Sequence, residues 1–130
     1  MSAFVGQTPV VRLRLENLFL KKSYPAEGFV EGVVDTGYDG FVAVPGTTFE
    51  SLSLGLLKSP GRGVRLADGS RVKSQVGLGT ALVVGTGTEV DGPIESIPGL
   101  GEVLVGTRFL SRFRLSLDYC LRRAELKICR

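Results

Sequence analysis

The chain contains no histidine. A Ser-His-Asp triad, a Cys-His dyad and a His-ligated zinc site are therefore all excluded. General acid–base work falls to carboxylates, lysine or tyrosine. Cysteine is nearly absent as well: Cys120 and Cys129 match no metal-knuckle spacing and make no disulfide framework. No metal site is expected, and two unbridged thiols suit a reducing compartment. No apolar run approaches the ~18 residues of a membrane span. Met1 to Val5 lacks the basic region and long apolar stretch of a signal peptide, so a soluble, cytoplasmic domain without a membrane partner is expected. Gly77-Leu78-Gly79, Gly85-Thr86-Gly87 and Gly99-Leu100-Gly101 each lack the third glycine of a dinucleotide loop, and no phosphate-binding loop is present. No cofactor is expected. A strong charge imbalance is missing too: 16 basic against 13 acidic residues give +3, and the arginines are scattered. Nucleic acid is accordingly not an expected partner.

What is abundant is glycine, 18 of 130 residues, about twice the usual ~7%. Set among Val and Leu, it reads as tight turns between strands. The length fits one domain, residues 1–130. Val11-Arg12-Leu13-Arg14-Leu15-Glu16 alternates apolar and charged, the period of a strand with one wet face. Glu27 to Asp35, Phe41 to Val44, Gly77 to Val84 and a stretch around Val90–Ile94 read as further strands. Thr47 followed by Glu50 has the capping-box spacing and opens a short helix through about Leu54, ended by Gly55. Val64-Arg65-Leu66-Ala67, Asp68-Gly69 and Ser70-Arg71-Val72 give the strongest hairpin signal, with the Asp-Gly pair as a two-residue turn. Val103-Leu104-Val105 runs into Gly106, and Phe109, Leu110 and Phe113 stand at helical spacing. Leu115 to Tyr119 and Ala124 to Ile128 close the chain as a hairpin through Cys120–Arg123. The expected class is all-β, barrel-like, with one short helix in the C-terminal half.

Asp35-Thr36-Gly37 is the tripeptide with chemical potential. It lies between two apolar strands, where a carboxylate can be held rigidly in surroundings that tune its pKa. Taken alone, the triplet reads first as an ordinary turn whose Asp side chain bonds its own backbone. Its surroundings add an order: apolar strand, triplet, apolar strand, short helix, glycine-tipped hairpin, then Leu104-Val105-Gly106 and a helix bearing Phe109-Leu110. In this order, over roughly Glu27 to Ile128, the chain resembles the retropepsin-like aspartic proteases, the single-lobe family of retroviral proteases and their cellular relatives. Arg108-Phe109-Leu110 with Leu115-Ser116-Leu117-Asp118-Tyr119 is most similar to cellular and prokaryotic members.

The resemblance implies a closed retropepsin-like barrel and an aspartic endopeptidase. In such enzymes two aspartates share one proton, one activating water and the other protonating the scissile carbonyl. This chain has a single Asp-Thr-Gly. The resemblance thus implies a homodimer with Asp35 from each copy as the catalytic residue, the terminal strands lending residues to the interface, and a peptide or unfolded protein as substrate. It further implies that Thr36 braces the partner loop, that Gly37 and Asp39 meet substrate backbone, and that Ala67, Asp68 and Gly69 tip a flap over the substrate. Arg108 is the implied ion-pair partner of Asp39, although many relatives carry an acid there. Tyr38 replaces a small residue and narrows the cleft. Arg62, Arg65, Arg71 and Lys73 flank the flap and favour acidic peptides or form a solvated face. Two other readings stay open. One is a catalytically silent module of the same fold that grips extended peptides; the other is a small β-barrel nucleic-acid binder, suggested by a pI near 9.1.

Overall fold

The computed structural model describes residues 2–56, 61–66 and 68–129. The alternation read from Val11 to Glu16 lies within a longer strand, β2 (Thr8–Asn17), whose Val11, Leu13 and Leu15 are fully buried while Arg12, Arg14 and Glu16 face outward. Before it lies β1 (Ser2–Val5), paired antiparallel to β2, and after it the short β3 (Ser23–Tyr24). Neither had a sequence signal beyond a few apolar residues. Then follow β4 (Val30–Val34), β5 (Val42–Val44), α1 (Gly46–Ser51), β6 (Gly63–Arg65), β7 (Arg71–Lys73), β8 (Gln75–Val83), β9 (Thr88–Ser96), β10 (Val103–Val105), α2 (Thr107–Leu110), β11 (Phe113–Asp118) and β12 (Arg123–Ile128).

Six strands close into a barrel in the order β2, β4, β10, β5, β9, β8, with β8 returning to β2. Closure is possible because β2 is long enough to serve two neighbours. Val10 to Leu13 pair with β4, and Leu13 to Asn17 pair with β8. Along each strand the inward residues fill the interior, with Phe109, Leu13, Leu15, Leu52 and Ile94 among the largest fully buried side chains. Burying such a side chain contributes about 1.5–3 kcal/mol. Closure also removes free sheet edges from the barrel wall.

Among the described residues the barrel carries two short α-helices, one at the short helix expected after Thr47 and one in the C-terminal half. In α1 the capping-box reading fails: Thr47 and Glu50 both lie inside the helix, Pro45 takes the N-cap position, and no side chain caps it. The helix continues after a break into a 3₁₀ turn at Leu54–Leu56, so Gly55 does not end it. In α2 the helical spacing extends only to Leu110, and Phe113 opens β11 instead. The closing hairpin of β11 and β12 matches the sequence expectation, pairing Phe113 with Ile128 and Asp118 with Arg123. Cys120 lies in its turn and Cys129 just beyond its open end, both as free thiols. No helix among the described residues is long and apolar enough to cross a membrane.

Candidate active site

Strand β10 slips between β4 and β5, parallel to the first and antiparallel to the second. This insertion brings the two sequence motifs together. The triplet leaves the end of β4 and its Asp35 amide donates to the Val105 carbonyl at 3.0 Å. The loop that follows is held by the start of α2: the amides of Gly106, Thr107 and Arg108 donate to the carbonyls of Phe41, Tyr38 and Gly40. Close approach of these backbones explains the glycine of Leu104-Val105-Gly106. A Cβ at Gly106 would stand 2.2 Å from the Gly40 carbonyl oxygen and 2.6 Å from the Tyr38 ring.

Asp35 is half-buried, and its Oδ1 accepts the Gly37 amide at 2.9 Å. The ordinary self-bonding turn is therefore present. It fixes the carboxylate without consuming it, since Oδ2 has no hydrogen-bond partner among the described residues. Thr36 and Gly37 are exposed at the turn. Asp35, Gly37 and Asp39 border a cleft of about 710 Å³ whose apolar lining comes from Val64, Leu66, Ile97, Leu100 and Leu104. Strands β6 and β7 form the wall opposite the triplet, with Val64 facing Val72 and Arg65 facing Arg71.

The tip of this hairpin differs from the expected two-residue turn. The Leu66 amide donates to the Ser70 carbonyl, and the Gly69 amide donates to the Leu66 carbonyl, which leaves three residues between the arms. Gly69 takes the left-handed conformation, φ +87°, that three-residue loops ask of their last position. The Asp68 carboxylate turns back onto Ser70, accepting from its amide and hydroxyl, and those bonds hold its pKa below the usual range. Asp68 and Gly69 do not border the cleft, which is reached by the arms Gly63–Leu66 and Arg71. Ala67 lies outside the described residues.

The ion pair expected between Asp39 and Arg108 is not formed. Asp39 instead pairs with Arg62, whose Nη2 donates to Asp39 Oδ1 at 2.9 Å and to Glu95 Oε1 at 2.7 Å. Arg108 is carried by α2, while Arg62 enters from the base of the hairpin on the Asp39 side. Glu95, with 2% of its surface exposed, is the hub. It accepts from Arg62 Nε at 2.8 Å, from the Tyr38 hydroxyl at 2.5 Å and from the Ser74 hydroxyl at 2.7 Å. Burial works to raise the Glu95 carboxyl, but hydrogen bonds from Arg62, Tyr38 and Ser74 outweigh it and hold the pKa below the usual range. Burial, and then the bond to Glu95, push the Tyr38 phenol upward. The Glu95 and Asp39 bonds push Arg62 upward, and Arg62 in turn lowers Asp39.

This brace joins three places: the residue after the triplet, the base of the hairpin, and β9 beneath them. Tyr38 does not simply narrow the cleft; it is a buried link of the brace. Sequence reasoning missed Glu95. Its one signal was an acid inside the apolar stretch Ile94-Glu95-Ser96-Ile97, and its cationic partner lies 33 residues upstream.

An uncharacterized protein of Archaeoglobus fulgidus is 36% identical over 126 residues, spanning 97% of this chain and 98% of that one. The chain belongs to the same family as this archaeal protein. No protein-family model matches the chain. The barrel of this chain is retropepsin-like: a retropepsin-like aspartic protease from Rickettsia conorii superposes with a TM-score of 0.55, over 88% of this chain and 90% of that chain, at 18% identity. At that identity the likeness speaks for the fold.

Proposed function

We propose that the protein is an aspartic endopeptidase that works as a homodimer, each copy giving one Asp35 to a shared site that cuts peptides or partly unfolded proteins. The observation that carries this reading is the state of Asp35. On a retropepsin-like barrel, one oxygen of the carboxylate is fixed by Gly37 and the other is left for chemistry, in a cleft walled by a hairpin. One chain holds a single Asp-Thr-Gly, and its exposed turn is where a second copy would meet it.

Two Asp35 carboxylates brought together cannot both ionise, so the pair holds one proton. The ionised member takes a proton from water as the water oxygen bonds to the scissile carbonyl carbon. The protonated member gives its proton to the carbonyl oxygen, and a tetrahedral diol results. Proton transfer to the amide nitrogen then lets the C–N bond break, releasing an amine and a carboxylic acid. Thr36, exposed beside Asp35, would brace the partner's loop; Gly37 and Asp39 would meet substrate backbone, and the hairpin would close over it.

Subunit mixing tests the shared site. Asp35→Asn keeps the side chain's size but cannot take a proton from water, so neither a fully mutant nor a mixed dimer should work. With equal amounts of both chains and free exchange, activity per wild-type chain should fall to about half and keep falling as mutant is added. Undiminished activity per wild-type chain after verified exchange would overturn the dimeric mechanism. Activity should also decline as pH rises past neutrality, because the pair must keep its one proton.

A further inference from the structure

The arms of the hairpin set two like charges face to face. Arg65 and Arg71 are directly opposite in the β6–β7 register, both are exposed, and both border the cleft. Such a pair is destabilising. It sits in a two-stranded sheet of three residue pairs that joins no other strand among the described residues. No carboxylate among the described residues forms an ion pair with either arginine. Asp68, the acid nearest in sequence, is occupied by Ser70, and Arg62 is already taken by Glu95 and Asp39. Two unneutralised guanidinium groups at the rim of the cleft therefore await an anion from outside the chain.

Resting on the protease reading, we infer that the substrate is an acidic peptide, one that places an apolar side chain in the cleft and an Asp or Glu side chain beside it, against Arg65 and Arg71. The apolar part follows from Val64, Leu66, Ile97, Leu100 and Leu104. The acidic part follows from geometry: guanidinium groups facing each other across one strand pair can both donate to a single carboxylate, which removes their mutual repulsion. Binding such a peptide would also stiffen the hairpin, joining recognition to closure.

The test uses two peptides that differ only by Glu or Gln beside an apolar cleavage position, assayed from pH 4 to 6.5. The wild type should cleave the Glu peptide with about five- to tenfold higher kcat/KM, chiefly through KM. The preference should grow as the glutamate ionises near its usual pKa of ~4.3 and shrink with added salt. In Arg65→Gln with Arg71→Gln the ratio should fall to about one, with no loss of thermal stability because a repulsion is removed. Lys21→Gln, at an exposed position outside the cleft lining and the terminal strands, should keep the wild-type ratio. Equal cleavage of both peptides by the wild type overturns the inference and leaves the protease reading standing. If neither peptide is cut, labelled peptides titrated onto the wild type separate the two failures. Tighter binding of the Glu peptide supports the acidic ligand while the enzyme reading falls, and equal binding overturns the inference as well.

Discussion

Glu95 is an ionised acid with 2% of its surface exposed, and its neighbours make that state the stable one. Its folded pKa is depressed below that of an unfolded glutamate, about 4.3. The stabilisation it brings is therefore complete above that value and lost as pH falls through the lower folded one. The brace thus stays ionised in mildly acid solution. Glu95→Gln leaves Arg62 with a much weaker partner in a partly buried place and is expected to cost about 2–4 kcal/mol. That corresponds to a melting temperature lower by roughly 10 °C at pH 7. The gap should close as the wild type is acidified below pH 4; equal melting at pH 7 would show that the brace contributes nothing. Tyr38→Phe removes one bond and should cost about 1–2 kcal/mol. Asp35 was readable in the sequence because its triplet is contiguous. The brace was not, because Tyr38, Asp39, Arg62, Ser74 and Glu95 come from four separate stretches that only the folded chain brings together.

Among the elements, those with a strict local pattern were legible and those set by tertiary contact were not. The alternation of β2, the closing hairpin and the β6–β7 hairpin follow from period-two patterning. By contrast, β3 has two residues and exists because β2 offers it an edge, and α1 begins at Gly46, with Pro45 as its N-cap in place of the Thr47 of the capping pattern. The turn of the β6–β7 hairpin shows how a local rule can give the right residue for a different reason. Asp68-Gly69 suggested two turn residues, whereas the pairing of Leu66 with Ser70 leaves three, and Gly69 still occupies the left-handed position. Gly69→Val forces a β-branched side chain into that conformation. Since no side chain would collide there and the hairpin lies outside the barrel, the melting temperature should fall by only a few degrees. Turnover should fall at least about tenfold if the hairpin gates the cleft. Parallel losses of stability and turnover would leave it a surface ornament of the wall.

At the scale of the whole molecule, the closed barrel leaves few places for a second copy. Strand β1 is hydrogen-bonded only to β2 among the described strands, its Phe4 ring resting on Tyr119, and the β11–β12 sheet pairs with no other strand among the described residues. These terminal strands carry exposed Val5 and Ile128, and the turn between β11 and β12 carries exposed Tyr119 and Leu121. Sedimentation at micromolar concentration should show a dimer, and Ile128→Lys together with Leu121→Lys should shift it to monomer with loss of activity. A monomer that keeps full activity would rule out the shared site. The fold class could be read from the order of strands, but the insertion of β10 between β4 and β5 could not, because nothing local marks which strand neighbours which. That insertion also dictates a sequence of events during synthesis. Asp35 leaves the ribosome early, yet the strand that seats its amide, Val103–Val105, and the Gly106 amide that pins Phe41 come some seventy residues later. A nascent chain thus carries the Asp35 carboxylate on an unfinished wall, and the proposed site cannot assemble until most of the protein has been made.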